Sequence, residues 1–496
     1  MKNFIKNFSF SMFREIFLRN TGIKQTIAKN TFWLGLTEIS INLLKFALLI
    51  FAARVLGDIG FGQFAFVSSF VAFFGIFFDF GLSEAITREF AKDHDNETDI
   101  AALFSLQVIV SLIAGFLLFF ASFFILTKTE SVQLPILIMA GYMFFSNLQT
   151  FFYAVFRARQ KMQLEFFPNL LQNLAIAGFG FLLLYLLPTV TSLALAYCIG
   201  AFIAFVPTFI YFNKYVGPIH FIFNTVVWKK FLHISYPLAL VGAVSFAIYN
   251  NIDSIMLGFF GQFKENGWYS AAYRIVSFSL LPMSFISQSF FPALSEAFNK
   301  SKEKLEQLLH IQIQIMLFLG LPTLFGGYAL ADSLIAFLYP VQYNPAVLAL
   351  KILIGITFLI YLYNPLRQLL VVYNLQRKVF TMFTAGMIIN ITLNFFTVPV
   401  FSLYGAAIST LLTQFFILGG LLYLTLKKTP IRPINKKILN VFIISLLSSI
   451  IMFFVLHFLH DALNIFALLG TGVATYTIFF FTFYFLIKSM FIKKTI

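Results

Sequence analysis

The sequence predicts an all-α integral membrane protein of about fourteen transmembrane helices, with two pseudo-symmetric six-helix lobes around a central cavity and two further C-terminal helices. Three observations carry this. Hydrophobic residues fill 60% of the 496 positions, charged residues only 11%, and the mean hydropathy is +0.89. A soluble chain carries about 25% charged residues, so the solvent is a bilayer. Each crossing of a hydrocarbon core about 30 Å thick needs about 20 apolar residues, so fourteen crossings use roughly 300. What remains suffices for short loops. No hydrophilic stretch reaches the ~50 residues of a separate domain, so any chemistry sits inside the bundle or at its rims.

Taken in order, residues 1–31 are rich in Lys and Arg and lack both a signal-peptide apolar core and a small-residue cleavage site, which predicts a retained basic amphipathic segment on the cytoplasmic surface. Apolar runs punctuated by Pro and Gly place spans at 32–54, 62–81, 101–126, 133–157, 168–188 and 190–213, an N-lobe of 32–213. A linker at 214–232 leads to a C-lobe of 233–426, with spans at 233–260, 268–293, 306–331, 345–373, 378–401 and 403–426. Two more spans, 436–458 and 464–488, fill 436–488 and leave a tail at 489–496. Cys198 is the only cysteine, which excludes a disulfide or thiolate metal site within one chain and predicts a packing role. The 71 Phe residues are expected to be apolar filling.

Orientation follows from charge. With the N-terminus in the cytoplasm, most of the 34 Lys and Arg fall in cytoplasmic connections, whereas the outer side holds Arg54, Lys128 and Lys264. That alternation is the positive-inside pattern and requires an even number of spans. The net charge of +15 is therefore an orientation signal, and nucleic-acid binding is an unneeded use of it.

A weak internal repeat relates helices one and two to helices seven and eight. Leu56-Gly57 and Leu257-Gly258 sit at corresponding helix ends, and LSEA recurs at 82–85 and 294–297. Six helices separate the copies, which predicts two parallel lobes related by an axis along the membrane normal. The strings ARVLGDIGFGQFAF, DFGLSEAITREFA, NNIDSIMLGFF, NGWYSAAYRI, FPALSEAF and IINITLNFFTVPVFSLYGAAIST resemble the polysaccharide-transporter branch of the multidrug/oligosaccharidyl-lipid/polysaccharide exporter superfamily, Wzx-like O-antigen or lipid-linked oligosaccharide flippases. The resemblance runs from about residue 28 to 430. It implies alternating access and movement of an undecaprenyl-diphosphate-linked glycan to the outer leaflet of the bacterial cytoplasmic membrane. Helices thirteen and fourteen resemble the family only in position and hydropathy.

Ionisable residues inside the spans are costly, about 2.5–3.5 kcal/mol each on an insertion scale, and mark function by default. Here they are Lys45, Arg274, Lys351, Arg367, Glu38, Asp79 and Asp253. Glu38, Asn42 and Lys45 share one helix face, as do Ser270, Arg274 and Ser277. Glu38, Asn42, Asp79 and Ser277 are thus expected to be polar groups of the cavity. Counted from the helix ends, Lys45, Arg274 and Lys351 lie at one depth. A diphosphate crossing oil needs charge compensation, Arg gripping its oxygens bidentately and Lys acting as a point charge. Arg274 and Lys45, with Lys351 and Arg367 assisting, are the expected diphosphate-binding set. Pairing with the three acids is the competing reading. Lys351 and Arg367 are turned about 160° apart on an ideal helix, so they share a cavity only if Pro365 kinks it.

Asp253, Asn394 and Thr410 are at one depth on three helices, with Asn390 one turn from Asn394, an oxygen set able to bind Na+ or to carry H+ as coupling ion. The resemblance places a cation site of related lipid-precursor flippases at these positions, with Asn394 where a carboxylate occurs. No other cofactor is expected. His457 and His460 beside Asp461 lack further metal ligands, the acidic run at 92–99 lacks the spacing of a calcium loop, and no phosphate loop supports ATP hydrolysis.

Outer connections are short, the longest being 332–344 with one acid, which argues against a polymerase or ligase acting on lipid-linked sugars and predicts a non-enzyme. A multidrug exporter of the same superfamily is the nearer rival, favoured by an acidic or aromatic cavity. A scaffold would leave the buried charges without a task. A monomer is expected, with a polysaccharide polymerase and a chain-length regulator as possible partners.

Overall fold

In the computed structural model the described residues are 23–91, 97–125, 130–249, 252–460 and 462–493. They are helical throughout, apart from connections. In chain order the helices are α1 (Ile23–Asp79), α2 (Leu82–Phe90), α3 (Glu97–Ile125), α4 (Glu130–Ala158), α5 (Gln163–Leu186), α6 (Val190–Tyr215), α7 (Thr225–Tyr249), α8 (Ile252–Phe259), α9 (Phe263–Ser279), α10 (Leu281–Phe298), α11 (Lys302–Ala329), α12 (Ala331–Leu338), α13 (Ala346–Val372), α14 (Gln376–Lys428), α15 (Lys436–Leu459) and α16 (Ile465–Lys493). Among the described residues, eleven helices are long and apolar enough to cross a membrane. Two of them, Ile41–Asp79 and Gln376–Lys428, would be about 58 and 80 Å long, twice a hydrocarbon core or more. Each therefore holds two crossings. They divide at Gly57 (φ 71°) and Ser402 (φ 53°), which makes thirteen crossings among the described residues, and the 25-residue α7 brings the helices roughly into line with the fourteen expected.

The second division is a hairpin. Asn390 Nδ2 donates to Thr410 Oγ1 at 3.1 Å, Thr397 and Ser409 hydroxyls meet at 2.9 Å, and a Cβ on Gly405 would stand 2.5 Å from the Thr397 carbonyl. Only glycine permits that approach.

The chain divides into two compact units. Unit 1 comprises Met1–Val55 and Phe70–Gly242. Its core is aromatic: Phe104, Phe151, Phe152, Phe156 and Phe212 are buried together, so phenylalanine acts here as filling, as its abundance predicted. Where α1 ends, Phe80 and Gly81 take positive φ and the Phe78 carbonyl loses its helical donor. Gln107 Nε2 at 2.9 Å and Asn147 Nδ2 at 2.5 Å satisfy it, as an apolar interior demands. The expected linker 214–232 is a loop only over 216–224, since α7 begins at Thr225. The Trp228 indole then anchors α7 by donating to the Ala102 carbonyl at 2.8 Å.

Unit 2 comprises Leu56–Ser69 and Ala243–Ile496. The division therefore falls inside α1 and α7, and not in the linker. Residues 56–69 join unit 2 through backbone contact: a Cβ on Gly62 would sit 1.7 Å from the Phe263 carbonyl oxygen, and one on Gly267 2.1 Å from the Asp58 oxygen. Asn266 Nδ2 bridges the Gly62 and Ser254 carbonyls at 3.0 and 3.2 Å. Gly267→Ala is expected to destabilise the protein by about 1–3 kcal/mol through overpacking; an unchanged melting temperature would show that the junction is looser than its geometry. The C-terminal pair, α15 and α16, packs on α11 through Leu309, Ile313, Leu317, Ile444, Met452 and Tyr476, with the Tyr476 hydroxyl donating to the Phe318 carbonyl at 2.7 Å.

The repeat is imperfect in three dimensions. In the first copy the chain breaks at Gly81, just before LSEA, whereas in the second copy LSEA closes the unbroken helix α10 and the break falls at Leu280. The single span expected at 268–293 is thus two helices, with Pro282 in the first turn of the second.

Candidate functional site

The break between α9 and α10 frees carbonyls inside the bundle, and α13 supplies their partners. Tyr361 OH donates to the Ser279 carbonyl at 3.0 Å, and the Ser279 hydroxyl meets Thr357 Oγ1 at 3.2 Å. Further along, Ser287 Oγ donates to Asn364 Oδ1 at 2.7 Å, Gln368 Nε2 to the Ser287 carbonyl at 2.8 Å, and Gln312 Nε2 to Gln368 Oε1 at 2.8 Å. Buried polar groups in an apolar medium are kept only when partnered in this way.

These bonds fix the register of the two helices. They place Arg274 level with the N-terminal half of α13, near Lys351 to Ile356, and Arg367 level with Ser287. At 1.5 Å per residue the two arginines are about 20 Å apart in depth. Arg274 and Lys351 share a depth, as the sequence predicted.

Their partners differ. Lys351 Nζ is 2.8 Å from Asp332 Oδ2 and 5.5 Å from the centre of the Tyr328 ring, so its charge is compensated by an acid on α12. The helix runs unbroken through Pro365, leaving Lys351 and Arg367 on different faces. Because the Asp332 side chain is 53% exposed, the pair is worth at most about 1 kcal/mol, and Lys351→Met is expected to fold normally and to keep most transport activity. A loss as large as that of an Arg274 variant would restore Lys351 to the binding set.

Arg274 is half-buried, and among the described residues no carboxylate comes within ion-pair distance of it. Its charge is felt by the Tyr339 phenol, which burial holds above its ordinary pKa range against the lowering pull of Arg274. Tyr339 OH in turn donates to the Ala271 carbonyl at 3.3 Å, one turn from Arg274. Arg367 is half-buried too, and its Nε is buried with no hydrogen-bond partner. An orphaned guanidinium nitrogen costs free energy, and an anionic ligand would relieve that cost. Ser277 bonds the Tyr273 carbonyl of its own helix at 2.9 Å.

In unit 1, Lys45 is exposed and Asn42 half-buried; the Glu38 side chain lies outside the described residues. Asp79 accepts from the Ser83 backbone at 3.3 Å and from the Ser83 hydroxyl. Its carboxylate thus caps α2 across the Phe80-Gly81 turn, a structural task that a cavity reading of the charge did not foresee.

The second cluster assembles as its depths predicted. Asp253 is 4% exposed and accepts from Tyr269 OH at 2.5 Å, Asn394 Nδ2 at 2.6 Å and Thr410 Oγ1 at 2.7 Å. Asn394 Nδ2 also donates to Asn390 Oδ1 at 3.2 Å, and Asn394 Oδ1 is buried without a partner. Turning that amide over would place Oδ1 beside the Asp253 and Asn390 oxygens, a pocket of oxygens that needs a cation or a proton between them. Tyr269 was missed by sequence reasoning, although a signal exists: Asp253 and Tyr269 are equally far from Gly261, whose positive φ reverses the chain. Ser333 Oγ meets His460 Nε2 at 2.9 Å, while His457 stacks on Phe453; among the described residues no group of three metal ligands forms.

An apolar cavity of about 370 Å3 opens beside the site, between α9, α11, α13, α15 and α16. Ile275 and Ser279 form its wall on α9, and Val473 and Tyr476 on α16.

Comparison with known proteins gives a consistent picture. Residues 27–298 match the model of a family described as "Polysaccharide biosynthesis protein". The capsular polysaccharide biosynthesis protein CapF of Staphylococcus aureus is 23% identical over 80% of this chain and 98% of its own length. The probable flippase AglR of Haloferax volcanii is 30% identical over 35% of this chain, a stretch that spans 37% of AglR. Among solved structures, the lipid II flippase MurJ in an inward closed conformation superposes with a TM-score of 0.75 at 19% identity, over 90% of this chain and 98% of MurJ. An inward-facing multidrug resistance MATE transporter of the MOP superfamily gives 0.63 at 15% identity, over 78% and 97%.

Proposed function

Because the chain belongs to the polysaccharide biosynthesis protein family, we propose that it is a flippase that carries an undecaprenyl-diphosphate-linked oligosaccharide from the inner to the outer leaflet of the bacterial cytoplasmic membrane by alternating access. The single observation that carries the reading is Arg274, a half-buried guanidinium in an apolar span with no carboxylate to neutralise it among the described residues. A transporter gains from such a charge only if its cargo brings the opposite one. A diphosphate does. Arg367, about 20 Å deeper and with an idle buried Nε, serves as a station nearer the basic, cytoplasmic ends. The cargo would meet Arg367 first and Arg274 later.

The apolar cavity beside Ile275 suits the polyprenyl tail, since Ile275, the residue next to Arg274, is part of its wall. For coupling, Asp253, Asn390, Asn394 and Thr410 exchange their internal hydrogen bonds for Na+ or H+, driving the return of the empty carrier. A polymerase and a chain-length regulator would consume the exported unit. A multidrug exporter is the weaker reading: the buried acid Asp253 already has Tyr269, Asn394 and Thr410 as donors, whereas among the described residues Arg274 and Arg367 have no carboxylate partner.

Native mass spectrometry of the purified protein tests the choice of cargo. A short-chain polyprenyl-diphosphate sugar should remain bound, and a lipophilic cation should not displace it. Retention of the cation and not of the diphosphate lipid would favour drug export.

A further inference from the structure

We propose that unit 2 holds a second lipid site, apart from the transport path: a groove that binds an anionic phospholipid of the leaflet at the basic helix ends. A cavity of about 310 Å3 lies between α11, α13, α14 and α15, lined by Ile313, Leu366, Leu422, Ile438 and Leu439 and, from the segment before α15, by Pro433 and Ile434. Leu439 is 50% and Ile434 63% exposed, so the groove opens outward. That segment is held in place. His310 Nε2 lies 2.7 Å from the Arg432 carbonyl, His310 Nδ1 lies 2.8 Å from Asn435 Nδ2, and Asn435 Oδ1 caps α15 at 2.8 Å from Ile438 N.

Charge identifies the occupant. From Ser333 to His460 the sequence contains not one Asp or Glu, yet that stretch supplies Arg377, Lys378, Lys427, Lys428, Arg432, Lys436 and Lys437 to the same end of the unit. Lys378 lies within the field of both Lys427 and Lys428. Arg432, Lys436 and Lys437 bracket Pro433 and Ile434 directly. One acid, Glu306, reaches the rim, 3.8 Å from His310 Nε2. A positive-inside bias accounts for cations spread over loops, but it does not account for an apolar slot whose rim gathers Arg432, Lys436 and Lys437 beside it. A phospholipid with acyl chains in the slot and a phosphate at the rim satisfies both features. Leu366 faces this groove, and Arg367 is turned about 100° away, so the two lipid sites are separate.

The test uses the full chain in detergent with phosphatidylglycerol or phosphatidylcholine, counting retained lipids by native mass spectrometry. Wild type should retain phosphatidylglycerol and not phosphatidylcholine. Retention should fall at least tenfold in the variant Arg432→Gln/Lys436→Gln/Lys437→Gln, which changes only exposed side chains, and also in the plugged variant Leu439→Trp. Binding of the polyprenyl-diphosphate sugar should be unchanged in both, which separates this site from the transport reading. Equal retention of the two phospholipids by wild type, or undiminished phosphatidylglycerol on the charge variant, overturns the proposal.

Discussion

Arg274→Ala is expected to lower the rate of lipid-diphosphate translocation by about 10- to 150-fold, with normal protein levels and an unchanged melting temperature. The magnitude is the loss of one charge-assisted interaction, about 1.5–3 kcal/mol, converted to a rate. Stability should survive because Arg274 has no ion-pair partner among the described residues to be left stranded. Arg274→Lys should recover part of the rate, since an ammonium restores the charge without the bidentate fork. Transport at the wild-type rate in Arg274→Ala, measured by the fraction of labelled lipid reaching the far leaflet, would remove the arginine from the mechanism.

The second large effect concerns coupling. Asp253→Asn is expected to abolish stimulation of transport by Na+ and H+ gradients, because the remaining oxygens carry no net charge with which to hold a cation. Asp253→Ala should in addition cost about 3 kcal/mol or more in stability, since Tyr269, Asn394 and Thr410 would all lose a buried acceptor. Conversely, Asn394→Asp sets two carboxylates side by side. That variant should melt at a higher temperature as Na+ is added, with the carboxylate repulsion relieved only by the ion. Gradient stimulation that persists in Asp253→Asn would assign coupling elsewhere.

Much of this was legible in the chain. Hydropathy locates the crossings because each must be apolar over the bilayer thickness, and the positions of Asp253, Asn394 and Thr410 reveal their meeting because depth is linear in residue number. Azimuth is harder. Depth arithmetic placed Lys351 level with Arg274, but it could not show that Lys351 turns to Asp332, whose acid sat in what read as an outer connection. The 160° between Lys351 and Arg367 was the warning. Asp79 has a task that depth does not disclose: an acid beside a positive-φ turn is as well suited to capping α2 as to lining a cavity. The division at Leu280 had a visible signal in Pro282, whereas the helical start of α7 at Thr225 had none in hydropathy, because an amphipathic helix can begin before the membrane does. That residues 56–69 pack with unit 2 was written only in the glycines at 62 and 267, which permit backbone approach without naming the partner.

The most direct test of the central claim is translocation itself. Liposomes containing the purified protein and a fluorescent undecaprenyl-diphosphate-linked sugar are exposed to a membrane-impermeant quencher or glycan-cleaving enzyme. Protein-dependent access to the inner pool, faster than in empty vesicles and lost with Arg274→Ala, is the predicted result. Access no faster than in empty vesicles, with correctly folded protein, would contradict the account.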